Sequence, residues 1–277
     1  MNWKTFFTRS GTAVVFAVIM MAGLLGKPLW FLALLLLIQF LCIKEYFSLL
    51  KKIDTESVYG TGIQALVQLF GAASLFLCSP VFEAGIKNFV PGLFFVPVLL
   101  LLIQSLQKGG SIGQAFQSLG ALLYICLPVS LLMLLRGQSL ILPLGLILLI
   151  WINDTMAYIV GSFIGKTPFS SISPKKTWEG TVGGALLTVA AAVVYGLFSD
   201  YYTVTDWVAL SLCAAVAGTL GDLFESKLKR VAGVKDSGSF MPGHGGALDR
   251  FDSLLVAAPF AFSYAYLFLP ALDIHIF

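Results

Sequence analysis

The chain has 277 residues, of which 58% are hydrophobic and only 11% charged, against roughly 25% charged in an ordinary soluble domain. The apolar residues come in long blocks. That excludes a disordered chain, a collagen, a disulfide scaffold and an ordinary soluble globule, and leaves an all-α polytopic membrane protein. A formal net charge of +3 is too small to point to nucleic acid.

A membrane helix needs about 20 mainly apolar residues. About nine such blocks follow along the chain, near 11–26, 29–47, 61–79, 89–106, 114–135, 139–164, 181–199, 205–223 and 252–271. Lys4 and Arg9 precede the first block and imitate a signal peptide. Further apolar blocks follow at once and no clear cleavage site is visible, so this reads as a retained first membrane helix. The fourth block carries Pro91 and Pro97 and is expected to be bent or partly interfacial. The sixth begins purely apolar and ends in the polar stretch WINDTMAY. Cys42, Cys78, Cys126 and Cys213 sit apart inside apolar blocks, with no CxxC pair to hold zinc.

Nine spans put the two termini on opposite sides. All 17 basic residues except Lys27, Lys87 and Arg136 then fall on the side that holds the N-terminus. The positive-inside rule makes that side cytoplasmic, together with both polar loops of the C-terminal half. The expected location is therefore the cell membrane, with the active site facing the cytoplasm. Residues 1–150 read as about five scaffold and lipid-facing helices without intramembrane charge. Residues 151–277, where polar residues concentrate in apolar context, read as the part that carries the function.

Asp154 has apolar residues on both sides. An acid inside a span is costly unless paired, solvated or metal-bound, so it is a functional candidate. The plainer reading is a contact to a neighbouring Lys or Arg. The following GSFIGKT has three residues between its glycines where a phosphate-binding P-loop needs four, and it follows a membrane helix rather than a strand. A P-loop is rejected. In SPKKTWEG, Ser173 and Pro174 form a turn. Lys176 and neighbouring hydroxyls, including Thr177, are placed to grip a phosphate. Equally, Lys175, Lys176 and Trp178 suit an interfacial anchor.

The densest signal runs from Asp222 to Asp252. It holds Asp222, Glu225, Asp236, Asp249 and Asp252, interleaved with Lys227, Lys229, Arg230, Lys235 and Arg250. Asp222 and Glu225 are three apart and share a helix face; Asp249 and Asp252 repeat the spacing. Ser226, Lys229 and Arg230 continue the first helix as it leaves the membrane. The stretch Pro242-Gly243-His244-Gly245-Gly246 reads as a loop whose backbone can approach a ligand closely. Carboxylates beside cations at a membrane surface suit a hard divalent cation holding polyphosphate. Mg²⁺ takes one or two carboxylates and completes its shell with phosphate and water. His244 fits a metal ligand, an acid–base group or a hydrogen-bonding clamp. The plainer reading is a hydrated, salt-bridged loop.

This stretch resembles the phosphatidate cytidylyltransferase (CDP-diacylglycerol synthase) family. The family pattern is met by Ser226, Lys229, Arg230, Lys235, Asp236, Gly238, Pro242, His244, Gly245, Gly246, Asp249, Arg250 and Asp252, with spacing intact. Met241 and Ala247 stand where other apolar residues are usual. Upstream, Asp154, Ala157, Tyr158, Gly161, Lys166, Ser173, Pro174, Lys175, Lys176, Thr177, Glu179 and Gly180 also fit. The resemblance covers about 150–255; earlier residues match only as membrane helices. It implies an enzyme that joins CTP and phosphatidic acid into CDP-diacylglycerol and pyrophosphate, with Mg²⁺, a possible second metal and a possible homodimer. Asp222, Asp249, Glu225 and Asp252 are the implied metal set. Asp222, Asp249, Lys229, Arg230, Lys235, His244 and Arg250 are the implied catalytic group. Lys176, Ser173, Thr177, Asp154, Ser226, Gly245 and Gly246 are the implied substrate contacts. A transporter, another membrane phosphotransferase and a non-catalytic scaffold are the alternatives. The first lacks a repeat, the second its motifs, and the third predicts that Asp249 is dispensable.

Overall fold

The computed structural model describes residues 3–54, 61–81, 95–106, 111–241 and 245–269, with side chains from residue 11 onward. Among these residues the chain is helical, with two isolated bridges in its loops. Helices suit a bilayer because every backbone bond is met within the segment. The helices are α1 Trp3–Leu25, α2 Pro28–Ile53, α3 Thr61–Cys78 and α4 Phe95–Leu106. They continue as α5 Ile112–Gln138, α6 Ile141–Ile164, α7 Trp178–Phe198, α8 Val204–Val231 and α9 Leu248–Phe268. Seven of the described helices are long and apolar enough to cross a membrane. The apolar stretches Gly11–Leu25 and Phe95–Leu106 are shorter. The protein is therefore an all-α polytopic membrane protein. Pro97 lies in the first turn of the 12-residue α4; the bend expected at Pro91 lies outside the described residues.

Local sequence explains the breaks. Pro28 opens α2, where its missing N–H costs nothing. Arg136 donates to the carbonyl oxygens of Leu24 (3.2 Å) and Gly26 (3.1 Å), which satisfies the end of α1. Helix α5 widens to a π-helical turn at Leu122–Cys126, immediately ahead of Pro128. The wider turn relieves the clash that proline makes inside an α-helix. Helix α8 has a similar turn at Cys213–Ala217.

Burial separates centre from periphery. Over half of the apolar windows of α2 (56%) and α5 (61%) are buried, against 22% for α7. Phe31, Ile43 and Phe47 of α2, Ile125 and Met133 of α5 and Leu146 of α6 belong to the buried core. Leu186, Val194, Leu197 and Phe198 of α7 face outward, where lipid is the solvent. Helix α7 packs on α6, and α8 on α9. These pairs bring the polar ends of α6, α8 and α9 to one place, beside the last turns of α2.

Candidate active site

Lys229 of α8 is the hub. Its ammonium lies 2.5 Å from Glu225 Oε2, one turn back on the same helix, and 2.5 Å from Asp249 Oδ1 on α9. All three side chains are nearly or fully withdrawn from solvent. A buried cation between two carboxylates satisfies groups that would be costly alone. The other oxygen of Asp249, Oδ2, accepts from Gly246 N (2.7 Å), Ser237 N (2.9 Å) and Ser237 Oγ (2.9 Å). Gly245, at φ 81°, lies in the left-handed region and lets the loop turn tightly over that carboxylate.

Across the site, Lys176 forms an ion pair with Asp222 of α8. Asp222 also accepts from Ser226 Oγ at 3.2 Å. Lys176 is presented by a pinned turn. Phe169 N donates to Lys176 O (2.7 Å), and Trp178 N to Thr167 O (2.9 Å). Glu179 of α7 accepts from the amides of Lys166 (3.1 Å) and Thr167 (3.1 Å) and from Thr167 Oγ1 (2.8 Å). The Lys166 and Thr167 amides of the GKT triplet thus hold a carboxylate of their own chain. Thr177 caps α7, accepting from Gly180 N at 3.1 Å.

Between these groups lies a cleft of about 700 Å³. Its polar wall is Asp154, Lys175, Lys176, Thr177, Asp222, Asp249, Arg250 and Asp252. Its apolar wall includes Phe16 and Met20 of α1 and Ile147, Ile150 and Trp151 of α6. Asp252 is buried at its back and accepts from Ser253 N at 2.7 Å. One cavity thus offers charged groups at one wall and a hydrocarbon surface at the other. This volume suits a ligand of several hundred daltons. The cytidylyltransferase family profile matches residues 7–268.

The chain belongs to the cytidylyltransferase family. Over 127 residues it is 47% identical to a phosphatidate cytidylyltransferase of Synechocystis, a match covering 45% of this chain and 43% of that one. Over 138 residues it is 42% identical to the phosphatidate cytidylyltransferase of Haemophilus influenzae, covering 48% of each. Phosphatidate cytidylyltransferase 4, chloroplastic, of Arabidopsis thaliana is 44% identical over 113 residues, covering 40% of this chain and 29% of that one. The chain thus spans less than half the length of each of these relatives.

In this cytidylyltransferase family member the cleft gathers seven of the sixteen site residues implied by the sequence. Asp154, Lys176, Thr177, Asp222, Asp249, Arg250 and Asp252 line it. Glu225, Ser226 and Lys229 stand behind them as supports. Gly245 and Gly246 pack against Asp249 rather than line the cleft. Arg230 is exposed and donates to Val234 O at 3.3 Å, Lys235 is exposed, and Ser173 contributes its carbonyl to the Lys176 turn. These three are not among the lining residues. His244 lies outside the described residues. Sequence reading missed Glu45. It belongs to α2, is buried, and reaches the start of α9. Its only signal was a carboxylate beside Lys44 at the end of a span, which reads as an ordinary interfacial charge. Residues 1–150 thus supply Glu45 behind the site and, through Phe16, Met20, Ile147 and Ile150, part of the apolar wall.

Proposed function

We propose that the protein joins CTP to phosphatidic acid, giving CDP-diacylglycerol and pyrophosphate, on the cytoplasmic side of the membrane. The observation that carries this reading is the two-faced cleft. Nucleotide triphosphate needs cations and hard oxygen donors; a lipid needs an apolar wall at the same depth. A phosphate oxygen of the lipid attacks the α-phosphorus of CTP. The bond from that phosphorus to the bridging oxygen breaks, and pyrophosphate leaves with the electron pair. Phosphatidate is already anionic, so no strong base is required and positioning dominates. Lys176 and Arg250, both lining the cleft, neutralise phosphate charge. Lys229, behind Asp249, fixes that carboxylate. The apolar residues of α1 and α6 take the start of the acyl chains.

Magnesium fits this donor set. Among the described residues no three acidic, His or Cys groups form a ready-made metal cluster. Mg²⁺ needs only one or two carboxylates when phosphates and water complete its shell. Asp222 and Asp252, with Asp154 beside them, face the cleft and would hold it. Asp249 has both oxygens engaged by Lys229, Ser237 and Gly246, so it suits a supporting role. When bound, the ion supplies charge compensation to the triphosphate.

The test uses purified protein in mixed micelles. CTP and phosphatidic acid with Mg²⁺ should yield CDP-diacylglycerol and pyrophosphate in equal amounts, and chelation should stop both. Binding of either substrate without product would point to a transporter or scaffold and defeat the proposal.

A further inference from the structure

Glu45 lies outside every motif used so far, yet it makes the longest-range polar connection in the site. Its carboxylate is buried. Oε1 accepts from Ala247 N at 2.9 Å, and Oε2 accepts from Leu248 N at 2.8 Å and from Ser237 Oγ at 2.8 Å. The first two donors are the leading amides of α9, which no residue of their own helix can satisfy. An acid from α2 therefore serves as the N-cap of α9, and its charge complements the positive end of the helix dipole. Helix α9 has no side-chain cap from its own N-cap residue, Ala247.

The second link runs through Ser237. Its hydroxyl lies 2.8 Å from Glu45 Oε2 and 2.9 Å from Asp249 Oδ2. A serine hydroxyl has one proton to donate. One proton spans two carboxylates, so the position of each acid depends on the other. Ser237 also fixes Asp249 with its amide. A change at Glu45 is thus felt at Asp249 by two routes: the hydroxyl, and the seating of the turn from which Asp249 projects.

We infer that Glu45 is a positioning residue for the reaction: by capping α9 and sharing the Ser237 hydroxyl with Asp249, it holds that carboxylate where the cleft requires it. This rests on the proposed cytidylyl transfer. It does not require Glu45 to touch a substrate, and Glu45 is absent from the cleft wall. Glutamine at 45 keeps the shape but sets an amide group against N–H donors. Small displacements of a catalytic constellation cost up to about 100-fold in rate.

The experiment compares wild type, Glu45→Gln, Ser237→Ala and the double variant. Each is assayed for turnover of CTP with phosphatidic acid and for bound CTP per protein in the presence of Mg²⁺. The bound CTP counts the folded fraction. The expected result is a fall in kcat of about 10-fold or more for Glu45→Gln, with CTP stoichiometry and affinity close to wild type. Ser237→Ala should fall similarly, and the double variant should be no worse than the poorer single. A loss of turnover that merely tracks a loss of CTP sites would overturn the inference, because Glu45 would then only support folding. So would wild-type kcat in Glu45→Gln, or effects that multiply in the double variant. If Glu45→Gln does not insert, Ser237→Ala alone decides: unchanged turnover overturns the link. A wild-type protein that makes no CDP-diacylglycerol would instead sink the proposed function.

Discussion

Lys229 shows how one side chain organises this site. Among the described residues it is the cation paired with Glu225 and with Asp249, both inside the protein. A methionine there fills similar space but leaves two buried carboxylates without their counter-charge. Removing one partner of a buried ion pair typically costs about 3–5 kcal/mol. Lys229→Met should therefore lower the unfolding temperature in detergent markedly. A Lys229→Met protein that unfolds with wild type would show that these acids are held by something else. Lys176 differs: its partner Asp222 lines the open cleft, and both are partly exposed. That pair is free to open toward a ligand, whereas the Lys229 pair is built in. The contrast fits the proposal that Lys176 contacts substrate while Lys229 supports the site.

At the level of helices, close approach positions the polar ends. A Cβ on Gly184 of α7 would lie 2.8 Å from both Cβ and N of Ala157 on α6. Small residues at such crossings let membrane helices pack backbone to backbone. Gly184→Val should cost about 1–3 kcal/mol through overpacking, read as a lower unfolding temperature, while Leu186→Val on the outward face changes little. Equal stability of the two variants would count against this packing. The same helices show how much was legible in the sequence. Spans such as 139–164 and 114–135 were readable to within a few residues, because in lipid apolar length alone specifies a helix. The C-terminal carboxylates were readable because charge is costly there and has few structural uses. Glu45 was not, since a cap supplied by another helix leaves no local spacing. The support role of Gly245 and Gly246 was also hidden. A glycine looks the same in sequence whether it yields to a ligand or to Asp249.

For the whole molecule, the proposed reaction with CTP requires the cleft to open on the cytoplasmic side. The bias of the basic residues toward one set of loops points the same way. Ser237 is buried, but Ser239 in the same loop is exposed. In a chain whose native cysteines are replaced, Ser239→Cys should react with an impermeant maleimide in inside-out vesicles and not in right-side-out ones. The opposite pattern would invert the topology. The central claim is that the acids lining one membrane-depth cleft join a nucleotide to a lipid phosphate. Its most direct measurement is CDP-diacylglycerol formation by purified Asp222→Asn, assayed beside wild type with saturating Mg²⁺. Asp222 is partly exposed and lies at the cleft wall, so the variant should insert and unfold like wild type yet make no detectable product. Turnover at the wild-type rate in that variant would contradict the account.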